Sequence, residues 1–141
     1  MDELQSLVIR AACTDVITRY AMAVNAWDLD AFTALFTPDA VWQRPGVEPY
    51  HGRDQIKAFM TSQPTQADRT MRHVNGGILV EPLDADHATA WSQTTVYDTS
   101  PAAALPAPLV CDMVVEYRDR FVRLDGQWLI ERRDTTVVFK R

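Results

Sequence analysis

The chain has 141 residues, 47% of them hydrophobic and 23% charged, with a formal net charge of −5; this suits one globular domain, residues 1–141, around one core. An acidic chain without clustered Lys and Arg excludes a nucleic-acid backbone as partner. The first residues lack a basic stretch followed by an apolar run, and no window nears the ~18 apolar residues of a membrane span, so the expectation is a cytoplasmic protein with no membrane partner.

In chain order, Ile9, Cys13, Val16, Ile17, Tyr20, Val24 and Trp27 recur at helical spacing and predict one long amphipathic helix over Leu4 to Ala26. Asp28 offers an N-cap oxygen to a short second helix through Leu29, Phe32, Leu35 and Phe36, which Thr37-Pro38-Asp39 should end. Ala40 to Gln43 reads as a short strand. After the breakers Pro45-Gly46 and Pro49, Gly52-Arg53-Asp54 leads into a third helix carrying Ile56, Phe59 and Met60.

From Met71 the pattern changes to strands: Met71 to Val80, a turn near Pro82 to Asp86, His87 to Tyr97, then Val110 to Leu124 and Gln127 to Phe139 joined at the turn dipeptide Asp125-Gly126. The last two are too long to stay flat, so twist and bulges should curl the sheet around a concave side. Helices first and sheet second predict an α+β fold, with helices on one face of a curved, mostly antiparallel sheet. Thr99 to Pro108, with three prolines and four alanines, reads either as an inert hairpin loop or as a flap over the concave mouth.

Strand parity assigns faces. Ala88, Ala90, Ser92, Thr94 and Val96 point inward, and Trp91, Gln93 and Tyr97 outward, where exposed aromatics predict a homodimer across the outer sheet face. Met113, Val115, Tyr117 and Phe121 share the inward parity with Asp119, while Arg132 shares it with Trp128 and Ile130. An inward Asp and Arg on adjacent strands predict an Asp119–Arg132 bridge. Cys13 and Cys111, both within apolar stripes, read as small buried hydrophobes. His51, His73 and His87 show no ligand spacing, and neither a metal nor a cofactor is expected.

Taken together, Arg19-Tyr20-Ala21, Trp27-Asp28-Leu29-Asp30, Leu35 through Trp42, His51-Gly52-Arg53, Arg72-His73-Val74, Tyr117 through Phe121 and Asp125 through Ile130 resemble, in order and spacing, the SnoaL-like branch of the nuclear-transport-factor-2-like superfamily. The likeness covers nearly the whole chain. It implies a cone-shaped α+β barrel of the cystatin-like type, in which three N-terminal helices close one end of the curved sheet and an apolar cavity opens between them. It leaves function open among dehydratases, dehydrochlorinases, isomerases, polyketide cyclases, aldehyde-releasing lyases and binding domains.

In lyases of that family an Asp late in the first helix orients a His on the first long strand, which removes a proton next to a leaving group. The resemblance places the His at His73, whose ordinary pKa leaves neutral base available at neutral pH. It places the Asp at Asn25, a departure: an amide oxygen can fix the imidazole tautomer but brings no charge. Asn25 has a second reading, a left-handed residue ending the first helix, and Asp28 is either a substitute charge or an N-cap. Tyr20 matches a family tyrosine and is either core or an oxyanion donor; five residues is about 140° of helix, which turns Tyr20 and Asn25 apart. Ser92 stands where the dehydratase pattern has a second histidine. Trp42, Val96, Met113 and Tyr117 are expected in the cavity wall, and Arg44 as a contact to a substrate carbonyl or phenolate. The expected activity is a cofactor-independent lyase or isomerase acting on a small, mainly apolar aromatic or polycyclic compound, against the alternatives of a non-catalytic binder and a carbon–carbon lyase releasing an aldehyde.

Overall fold

The computed structural model describes residues 1–63 and 69–141. Helix α1 spans Glu3–Ala26, and Asp2 caps it through a reciprocal pair with Gln5: the Gln5 N–H donates to Asp2 Oδ1 at 2.7 Å and the Asp2 N–H to Gln5 Oε1 at 3.0 Å. It ends at Trp27, whose left-handed backbone (φ 54°) turns its N–H back onto Ala23 and Val24. The left-handed residue is therefore Trp27 and not Asn25, which lies inside the last helical turn. Asp28 is the N-cap of α2, Leu29–Ala34, accepting from the Ala31 N–H at 3.0 Å; it takes the capping role.

Strand β1 runs Phe36–Gln43, earlier than the Ala40 start expected from sequence. Phe36, read as helical for its apolar spacing, instead pairs with Ile130 in the sheet and is fully buried; tertiary burial overrides local period here. A short β2, Tyr50–His51, precedes α3, Gly52–Ser62. Four long strands follow: β3 Thr70–Pro82, β4 His87–Thr99, β5 Cys111–Leu124 and β6 Gln127–Lys140. They form one six-stranded sheet in the order β2-β1-β6-β5-β4-β3, antiparallel throughout except for the parallel pair β1–β6. Among the described residues no helix is long and apolar enough to cross a membrane.

Four bulges bend the long strands, one of them at Val138 on β6, between the partners of Val114 and Val115. On β3, Gly76 and Gly77 stand opposite a single β4 residue, with Gly77 at φ 91° and Trp91 packed against it. On β5, Asp112 is the extra residue between partners of Val96 and Tyr97. On β6, Glu131 is extra between partners of Phe121 and Arg120. Each bulge tightens the right-handed twist, and the sheet curls over α1, which packs on β3 and β6, while α3 packs on β1. The core lies between them, with Phe32, Phe36, Phe121, Ile17, Ile56 and Ile130 almost wholly removed from solvent.

The bulges also decide which parity readings hold. Along β4, which is regular from His87 to Val96, the inward set Ala88, Ala90, Ser92, Thr94 and Val96 is buried as expected. Beyond the Asp112 bulge, Cys111 pairs with outward Tyr97 and is exposed, so only Cys13 is a buried thiol. Beyond the Glu131 bulge, Arg132 turns outward and Arg133 inward, so the buried bridge joins Asp119 to Arg133 and not to Arg132. Arg132 pairs with its neighbour Asp134 on the outer surface, its Nη2 2.9 Å from Oδ1.

Candidate active site

Between α1, the end of β1, α3 and the concave side of β3 to β6 lies a cavity of about 210 Å³. Trp42, Val96, Met113 and Tyr117, expected in the cavity wall, line it together with Tyr20, His73 and Arg44. Ser92, Asp119 and Arg132 do not. Ser92 is wholly buried beneath the lining, its hydroxyl without a partner among the described residues, Asp119 lies below the floor holding Arg133, and Arg132 is outside. No residue of Thr99 to Pro108 lines the cavity either.

His73 is the imidazole in the lining. It sits on β3, the edge strand, where alternate backbone N–H groups lack a strand partner. Asn25 fills one such gap: the His73 backbone N–H donates to Asn25 Oδ1 at 2.8 Å, and the same oxygen lies 2.9 Å from His73 Nδ1. A backbone N–H can only donate, which fixes the identity of the amide atom as oxygen and requires Nδ1 to carry its proton. The lone pair is thereby left on Nε2, across the ring from Asn25, on a side chain that borders the cavity. Asn25 works from behind and does not line the cavity, whereas Tyr20, turned away from it around α1, does; the angular separation expected from helix geometry is realised.

The imidazole is a weak base. Burial, and after it the nearby Arg133 charge, push its pKa down to about 4, with Asp98 offsetting part of the fall. Asp98, on β4, is itself held by Arg69, the residue just before β3, a pair at the cavity edge that no local spacing announces.

Arg133 was the main residue missed from sequence. It is fully buried, its guanidinium carbon 4.0 Å from the Tyr20 ring centroid and 3.9 Å from that of Tyr117, and Nε and Nη2 each donate to an Asp119 oxygen at 2.7 Å. Burial works against its charge, but Asp119 more than compensates and holds the pKa above the usual arginine range. Burial also pushes the Tyr20 and Tyr117 phenols up, with Arg133 pulling the other way, and both remain neutral O–H donors at neutral pH. The doublet Arg132-Arg133 gave the only hint, and parity alone chose the wrong member. On the far wall, Trp42 donates its indole N–H to Thr135 Oγ1 at 3.3 Å and Phe59 stacks with Tyr50 at 4.7 Å between centroids, making that side rigid and apolar.

Such an arrangement can hold a flat apolar molecule, take a proton at Nε2 and donate hydrogen bonds from two phenols in a largely dry space. Residues 5–134 match the model of the SnoaL-like domain family. Among solved structures the chain is similar to a type 2 hexachlorocyclohexane dehydrochlorinase, with 16% identity and a TM-score of 0.82 over 99% of this chain and 92% of that one. It is similar to a protein provisionally named scytalone dehydratase from Novosphingobium aromaticivorans, with 20% identity and a TM-score of 0.81 over 96% and 87%. A nuclear-transport-factor-2-like protein with a cystatin-like fold from the same organism has 24% identity and a TM-score of 0.79 over 94% and 83%. At these identities the likeness establishes the cone-shaped α+β fold.

Proposed function

The chain belongs to the SnoaL-like domain family, and from that premise we propose that it is a cofactor-independent lyase or isomerase acting by proton abstraction on a small, mainly apolar aromatic or polycyclic hydroxy or carbonyl compound. The observation that carries this reading is the double acceptance by Asn25 Oδ1 from His73, which presents an unprotonated Nε2 at a cavity bordered by two neutral phenols. The base takes a proton from the carbon alpha to a carbonyl, and the C–H electron pair becomes the enolate stabilised by Tyr20 or Tyr117. The enolate then either expels a beta hydroxyl, which leaves as water with a returned proton, or is reprotonated elsewhere as an isomer.

A conjugate acid near 4 suits a carbon acid already strongly activated, one flanked by carbonyl or aryl groups, because proton transfer to so weak a base is otherwise steeply uphill. Similarity to a dehydrochlorinase and to a protein named for a dehydratase supports elimination as the reaction class.

The test is turnover of hydroxylated aromatic and polyketide-like ketones with product analysis. The reading expects loss of water or movement of a double bond, reduced at least tenfold in His73→Ala. A binding protein is the second reading, favoured by the missing carboxylate at Asn25; saturable binding with no product, equal in both proteins, would establish it. Release of an aldehyde would instead assign the carbon–carbon lyase reaction. We further propose a homodimer through the outer sheet face.

A further inference from the structure

We propose that the cavity selects a ligand bearing a carboxylate on its apolar ring system, and that Arg44 is the residue that selects it. Arg44 follows β1 and lines the cavity with its guanidinium carbon 4.5 Å from the Phe59 ring centroid and 5.2 Å from that of Trp42. Two rings lie against the guanidinium and, among the described residues, none of its N–H groups donates to protein, which leaves the fork available to grip a carboxylate with two parallel bonds. The aromatic rings hold the fork in place before any ligand arrives.

Among the described residues, the charge around Arg44 leaves it uncompensated. Arg69, also at the cavity, pairs with Asp98, and Arg133 beneath it pairs with Asp119. Among the described residues no carboxylate lies within 4 Å of Arg44. The remaining acid in the lining, Asp112, faces Arg141 at 3.8 Å. The Arg44 charge is felt inside, where it draws the Tyr20 phenol downward against the effect of burial. A half-buried guanidinium without a partner gains most from an anionic ligand that replaces lost water. Arg44 and His73 lie on opposite wings of the curled sheet, so a carboxylate anchored on one extends the ring toward the other.

This inference rests on the cavity being a small-molecule site and not on turnover. It is tested by calorimetric titration of the full chain, at neutral pH and low salt, with 2-naphthoate and its neutral isostere 2-naphthamide. The wild type should bind naphthoate about tenfold or more tightly than the amide. Arg44→Met, which keeps the apolar stem, should bring the two within about twofold, chiefly by weakening naphthoate, and Arg44→Lys should restore part of the preference. Equal affinities in the wild type, a preference that survives Arg44→Met, or binding of neither compound would overturn it. Charge-selective binding without turnover of any ketone sinks the lyase reading and leaves this one standing; His73-dependent turnover with no charge preference does the reverse.

Discussion

Asn25 Oδ1 accepts from two donors of one residue, and the consequence is a base that is correctly oriented yet weak. A carboxylate in the same place would accept the same two bonds and add a negative charge beside Nδ1, favouring imidazolium by about 1–3 pKa units. Asn25→Asp is therefore expected to raise the His73 pKa from about 4 by at least one unit, read from the imidazole C–H shifts in an NMR titration. The acid limb of kcat/KM should move upward with it. An unmoved titration would mean that the side chain at this position no longer faces the ring.

The same residue makes stability depend on pH. The unfolded imidazole binds its proton near 6.5 and the folded one only near 4, so as pH falls through 6.5 the unfolded state gains a proton that the folded state refuses. Stability is lost across that window, by at most about 3 kcal/mol and by less to the extent that partial exposure screens the site. His73→Asn should remove this component. Denaturant melts at pH 7 and pH 4 should then differ less for the variant than for the wild type; identical pH dependence would exclude the buried, neutral ring.

Among the elements, β6 positions the floor of the cavity through one inserted residue. Because Glu131 is extra, Arg133 enters the core opposite Asp119, and Thr135 and Val137 after it reach the cavity. Removing one partner of a buried ion pair leaves an uncompensated charge, so Asp119→Ala should cost about 3–5 kcal/mol. The double variant Asp119→Leu with Arg133→Met should recover most of that loss, since an apolar pair of similar volume needs no compensation. Chemical denaturation checks both; a double variant as unstable as the single would mean that Arg133 stabilises chiefly through its stacking on Tyr20 and Tyr117.

That strand also marks where sequence reading stops. Alternation assigned faces correctly along β4, from Ala88 to Val96, because nothing interrupts its period. On β5 and β6 it failed past Asp112 and Glu131, where no Gly or Pro signals an extra residue and each insertion exchanges the two faces. At Gly76-Gly77 the composition did carry a trace of the bulge. His73, Asn25 and Tyr20 were found through short runs resembling a family. The Arg69–Asp98 pair and the aromatic bed of Arg44 were not, because they join residues 29 and 15 positions apart that only the closed sheet brings together.

For the whole molecule, the inward face is accounted for by core and cavity, and the outward face is not. Register places Val74, Thr95, Val114 and Phe139 in one row across β3 to β6, and Leu79 beside Trp91 in another. Val74, Leu79 and Phe139 are 51%, 58% and 69% exposed, three large apolar groups on one side of a chain that has charged surface to spare. A second copy set against this face would cover both rows, and the cavity, lined from one chain and opening on the other side of the sheet, would stay open. Light scattering should give a dimer. Leu79→Glu combined with Phe139→Glu should give a monomer, because two carboxylates per copy cannot be desolvated in such a contact. That monomer should bind 2-naphthoate within about twofold of the wild type. A monomeric wild type would remove the outer face as an interface, and a monomeric variant that loses binding would tie the cavity's shape to the second copy.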